Sequence, residues 1–223
     1  MTILNLELGR PLIVVAGTWN PAIFQHKWIA INLFGKAIGE SVTLTQVTPS
    51  SGPTVTYFGD IGIAATSRRI ELFANKFDEN ARLELENTCV KIVELLPHTP
   101  IGSIGINYVF SVQEPDQHLI DKLKTHELLE KHFLIVEQNF TAQIDYEGIR
   151  LNLIRNVSAG QFEINLNFHY TAAGADAVKA IVRGSLEKMY GKAKEVISKI
   201  YGEYEIQSRG HVFPIDANMG RGT

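Results

Sequence analysis

Four polar residues stand at every second position of one stretch, Glu163, Asn165, Asn167 and His169, separated by Ile164, Leu166 and Phe168. With Phe162 and Tyr170 at its ends, the alternation is that of a half-buried β-strand, so the four project from one face. Two earlier runs alternate in the same way. Phe140, Ala142, Ile144 and Tyr146 stand against Gln143 and Asp145, and Ile149, Leu151 and Leu153 stand against Arg150 and Asn152. Turns at Glu147-Gly148 and Ser158-Ala159-Gly160 join the runs into an antiparallel meander, with Gln143, Asp145, Arg150 and Asn152 expected on the same side as the first four residues. Amides both donate and accept, and with carboxylates, an Arg and a His beside them such a face suits a polar ligand or a protein partner. His169 with Glu163 or Asp145 would be the oriented base of a small hydrolase or transferase, but no nucleophile in a recognisable setting accompanies it. Ser158 and Ser208 fall in turns, and Cys89 falls on an apolar helix stripe. The residues therefore favour a non-enzymatic binding or assembly protein, with the hydrolase or transferase as the alternative.

The remaining clusters carry less. His126, Glu127, Glu130 and His132 lie near one helix end, but two His at i and i+4 with a Glu beside the first, as a zinc protease needs, are not there. They read as a solvated helix face. Arg68, Arg69 and Arg82 offer guanidinium groups for a phosphate, and the blander reading is a solvated turn. The glycines at 59, 62, 102 and 105 match neither a phosphate loop nor a dinucleotide fingerprint, and Trp19 and Trp28 around His26 read as core or interface anchors. No metal and no cofactor are expected.

The elements that would hold these residues follow from periodicity. Residues 12–16 are a continuous apolar strand, and Asn20-Pro21 is a helix start with Phe24, Trp28, Ile31 and Phe34 on one face; a strand over 28–34 is the competing reading. Short strands are expected at 42–47, 54–58, 61–66 and 69–74. Asp78 then caps a helix whose face is Ala81, Leu85, Cys89, Ile92, Val93 and Leu96, ended by Pro97 and Pro100. Beyond that turn come a strand with Ile104, Ile106, Tyr108, Phe110 and Val112 facing one way, a helix from Pro115 to about Lys131, and the meander. A long helix from Asp176 to Tyr201 covers it, with Gly202 as its stop.

Residues 11–96 and 102–201 thus share one order: strand, helix, short strands, long helix. The fold class expected is α+β, from two duplicated strand-helix-meander-helix halves forming a curved antiparallel sheet with both long helices on one face. In element order this resembles the saddle-shaped duplicated folds of the TATA-binding-protein type. The helix, the strand Ile104-Gly-Ile-Asn-Tyr-Val-Phe, and the late strand Ile164-Asn-Leu-Asn-Phe-His-Tyr running into a charged helix resemble a sporadically distributed family of uncharacterised prokaryotic proteins. That resemblance implies a prokaryotic accessory role and brings no established activity.

With 223 residues the chain can bury about 70% of its unfolded surface and needs no covalent staple. A net charge of −3 gives no field to hold a polyanion, so nucleic acid and anionic membranes are disfavoured as partners. The single Cys89 excludes an internal disulfide, residues 12–16 are too short to span a bilayer, and Met1 to Arg10 lack the basic start of a signal peptide, so a cytosolic protein is expected. One domain over 1–207 is expected to be followed by an extended arm over 208–223. Its Val212, Phe213 and Ile215 are too few for a core of their own and are expected to contact a protein partner or a second copy.

Overall fold

The computed structural model describes residues 3–38, 40, 43–48, 52–112, 115, 119, 137–158, 161–202 and 204–209. Eleven strands among them form one open sheet: β1 (Ile3–Glu7), β2 (Ile13–Gly17), β3 (Thr45–Val47), β4 (Val55–Phe58), β5 (Ile61–Ala65), β6 (Arg69–Ala74), β7 (Ile101–Val112), β8 (Glu137–Tyr146), β9 (Ile149–Ser158), β10 (Gln161–Thr171) and β11 (Glu205–Arg209). Their order across the sheet is β3-β4-β5-β6-β2-β7-β10-β9-β8, and every neighbouring pair in it is antiparallel. β1 pairs with the far end of β7, at Asn5 and Leu6, and β11 runs parallel to β1. The fold is α+β, as expected.

Four helices among the described residues accompany the sheet: α1 (His26–Asn32), α2 (Glu79–Leu95), α3 (Ala175–Val182) and α4 (Ser185–Tyr201). Alternation sends Ile13, Leu72, Ile104, Ile106, Ile164 and Leu166 to one sheet face. There Leu85, Ile92, Val178, Leu186, Met189 and Ile197 of α2, α3 and α4 bury them in one core. Tyr108 sits at its centre, fully buried, and donates its hydroxyl to the Leu186 carbonyl at 2.5 Å. Burial keeps that phenol neutral by pushing its pKa well up. Asp78 caps α2 as expected, accepting from the Ala81 amide at 2.8 Å.

Several expectations are corrected. The helix read as continuous from Asp176 to Tyr201 is two helices, because Arg183 is extended and Gly184 adopts a left-handed φ of 68°. The break exposes the first amides of α4, and the buried Glu86 of α2 takes them: its carboxylate accepts from Gly184 N–H at 2.7 Å and Leu186 N–H at 2.8 Å. The apolar stripe runs through the break, so periodicity alone cannot show it. After Asn20, whose side chain accepts from Ala22, comes a 3-10 turn over Pro21–Ile23, and α1 starts only at His26; the strand reading of 28–34 is excluded. Residues 3–7 and 205–209 are strands that local pattern did not mark, and Ser208, placed at the start of the arm, lies in β11. The helix expected to run to about Lys131, its His126, Glu127, Glu130 and His132, and the arm contacts Val212, Phe213 and Ile215 lie outside the described residues.

Candidate functional site

The face opposite the helices holds a groove of about 650 Å³. Its floor is small, with Val14 and Ala16 on β2 and Ser103 and Gly105 on β7. Because β2 and β7 pair in antiparallel register, Val14 opposite Gly105 and Ala16 opposite Ser103, the two central strands leave a shallow trench between taller side chains. β10 supplies one wall, with Glu163, Asn165, Asn167 and His169. β6 and β4 supply the other, with Arg69, Glu71, Phe73 and Tyr57. Gly62 makes room for the Tyr57 ring, since a Cβ there would lie 2.6 Å from it. Burial pushes the Tyr57 phenol up to about 12, so it lines the groove as a neutral group.

Register brings four amides from four adjacent strands into one row: Asn107 on β7 faces Asn167, Asn167 faces Asn152, and Asn152 faces Gln143. Asn152 Nδ2 donates to Asn167 Oδ1 at 2.8 Å, and Asn167 Nδ2 donates to Asn107 Oδ1 at 2.5 Å. Asn167 reaches across because Gly105 has no side chain; a Cβ there would stand 2.5 Å from Asn167 Nδ2. Beside this row, Asn165 Oδ1 is buried and has no hydrogen-bond partner among the described residues. A buried acceptor left unpaired costs on the order of 1–3 kcal/mol, a penalty that a ligand donor would relieve.

Two ion pairs flank the groove. Arg69 Nε lies 2.7 Å from Glu71 Oε1, whose side chain is 9% exposed, and Arg10 Nη2 lies 3.0 Å from Glu163 Oε2. The second pair stands between the groove and a neighbouring depression of about 630 Å³ lined by Glu7, Ser111, Asn156 and Gln161 among others. All eight residues picked from the sequence lie on this sheet face, but they are not one site. Glu163, Asn165, Asn167 and His169 line the groove; Asn152 touches it through Asn167; Gln143, Asp145 and Arg150 open on a separate depression of about 340 Å³ near the sheet edge.

The base pairing considered for His169 is not assembled. Its row runs Gly105, His169, Arg150, Asp145, so Asp145 is two strands away, on the order of 10 Å. Asp145 Oδ1 instead accepts from the Gly148 amide in the β8–β9 turn at 2.9 Å. Glu163 is six residues along the same strand, about 20 Å from His169. Among the described residues no group of three or more His, Cys, Asp and Glu side chains is placed to hold a metal ion.

Arg10, Arg69, Glu71 and Asn107 belong to this site without being marked as its members by the sequence. Asn107 and Gly105 did show as the outward positions of an alternating strand, which is the signal that could have found them; Arg10 and Glu71 have none, since only the sheet order brings them to the groove. Trp19 is an interior anchor, donating to the Val15 carbonyl at 3.1 Å, and His26 Nε2 sits 2.9 Å from the Gln46 amide on the other sheet face. No helix among the described residues is long and apolar enough to cross a membrane. No family model matches the chain, and no curated protein matches it.

Proposed function

We propose that this protein is a non-enzymatic binding protein that holds a polar ligand in the groove opposite its helices. The observation that carries the reading is the amide wall. Asn107, Asn167 and Asn152 are hydrogen-bonded to one another in a row, while Asn165 Oδ1 beside them is buried and has no partner among the described residues. A preformed polar wall over a floor of small side chains costs little to organise on binding, and its volume lies in the range of small-molecule sites. The two halves support the same reading. Each puts its first strand at the sheet centre, β2 or β7, with the last strand of its meander beside it, β6 or β10. We infer an internal duplication of the saddle type, with the groove at the junction of the halves.

The test is retention of a host-derived ligand by purified protein, read by mass spectrometry after denaturation, for wild type and for Asn165→Ala with His169→Ala. Asn165 Oδ1 has no partner among the described residues, so the double variant keeps its fold and melting temperature and loses the ligand. A variant that retains the ligand in full sinks the groove reading. Turnover of a substrate panel that disappears in His169→Ala alone would replace it with the hydrolase or transferase reading.

A further inference from the structure

We infer that β8 is a dimerisation edge, pairing antiparallel with β8 of a second copy of this chain about a two-fold axis through Ala142. Among the described residues β8 is the last strand of the sheet, and all ten of its residues pair with β9 on one side only. Natural edge strands are short, bulged, or carry Lys or Pro against unwanted pairing. β8 is ten residues long with no Lys or Pro, its charges stand only near its ends at Glu137 and Asp145, its register against β9 is unbroken from Glu137 to Tyr146, and Phe140 is 39% exposed upon it.

The direction of its main-chain groups follows from the hairpin. Glu147 and Gly148 have φ of 54° and 76°, the left-handed pair of a two-residue type I′ turn, so Tyr146 and Ile149 exchange both of their hydrogen bonds. Counting back, the even-numbered residues of β8 point their amides and carbonyls at β9. Asn139, Thr141, Gln143 and Asp145 point theirs outward. A symmetric partner strand must therefore match odd residues with odd ones.

The register about Ala142 does so without conflict. It sets Thr141 against Gln143 and Asn139 against Asp145 as hydrogen-bonded pairs, about eight main-chain bonds in all. Phe140 then meets Ile144 in the closer, non-hydrogen-bonded pairs, on the face where both side chains are apolar. Of the two adjacent symmetric registers, that about Thr141 would place Glu137 against Asp145, two carboxylates, and Phe140 against Ala142 only, and that about Gln143 would keep only about six main-chain bonds, with Asn139 running out against the turn. Charge and shape choose a second copy of this strand, in one register.

The register makes the test specific. Sedimentation of the wild type over a micromolar dilution series should give a dimer mass at the top. Thr141→Lys with Gln143→Lys puts like charges opposite each other and should halve that mass. Thr141→Glu with Gln143→Glu should do the same, and an equimolar mixture of the two variants should return to the dimer. Amide exchange of Asn139, Thr141, Gln143 and Asp145 in the wild type, slowed at high concentration and released on dilution, tests the edge without any substitution. A monomeric wild type throughout, a lysine variant that keeps the dimer mass, or a mixture that stays monomeric overturns the proposal.

Discussion

Glu86 joins α2 to the start of α4, and removing it should cost more than any single surface contact in the molecule. Glu86 is 6% exposed, and its carboxylate accepts two main-chain amides at 2.7 and 2.8 Å, with the positive end of a 17-residue helix behind them. A hydrogen bond to a charged acceptor contributes about 1.5–3 kcal/mol, so Glu86→Ala, which leaves both donors unpaired, should lose about 3–5 kcal/mol after partial rehydration. Glu86→Gln keeps the shape and one carbonyl acceptor but turns an NH2 group toward the other donor, and should lose about half as much. For a chain of this length a urea slope of about 2.5 kcal/mol per molar converts the alanine loss into a midpoint shift of roughly 1–2 M. Urea titrations followed by far-UV circular dichroism give the order Glu, Gln, Ala. An alanine variant within about 0.5 kcal/mol of wild type, or a glutamine variant equal to it, would refute the reasoning, because the carboxylate would then be a bystander to a break held by packing alone.

Two further outcomes follow from burial. Cys89 is buried, and burial together with the nearby Glu86 charge pushes its thiol up to about 12, so a disulfide reagent at pH 8 should leave it untouched in the native protein and titrate it fully in denaturant; native reactivity would mean that α2 opens readily. Tyr57 has a folded pKa raised to about 12 from an ordinary 10.0, so its contribution is intact below about pH 10 and is lost as pH climbs to 12, at about 1.4 kcal/mol per pH unit and at most about 2.7 kcal/mol. Tyr57→Phe should flatten the alkaline limb of a stability–pH curve by that amount, and an unchanged limb would show that the phenol ionises freely in the fold.

Local pattern determined much of this molecule because alternation and helical period are properties of neighbouring residues. β6 runs over Arg69–Ala74 as read, α2 begins after its Asp78 cap, and the polar and apolar sides of β7 and β10 are those the sequence displays. The shared face of Gln143, Asp145, Arg150, Asn152 and the four residues of β10 was legible for the same reason, since a hairpin meander transmits facing from strand to strand. Pairing partners are another matter. They are chosen by long-range burial that no local window contains, so only the folded chain sets β2 against β7 and β7 against β10, aligning Asn107 with Asn167 and bringing Glu71 and Arg10 to one groove. The same holds for the break before α4, where a glycine in an amphipathic run becomes a helix start because Glu86, 98 residues earlier, is there to receive its amide. β1 gains its ladders by meeting β11, about 200 residues away in the chain, and the end of β7, about 105 residues away, meetings decided by the core beneath Leu4 and Leu6.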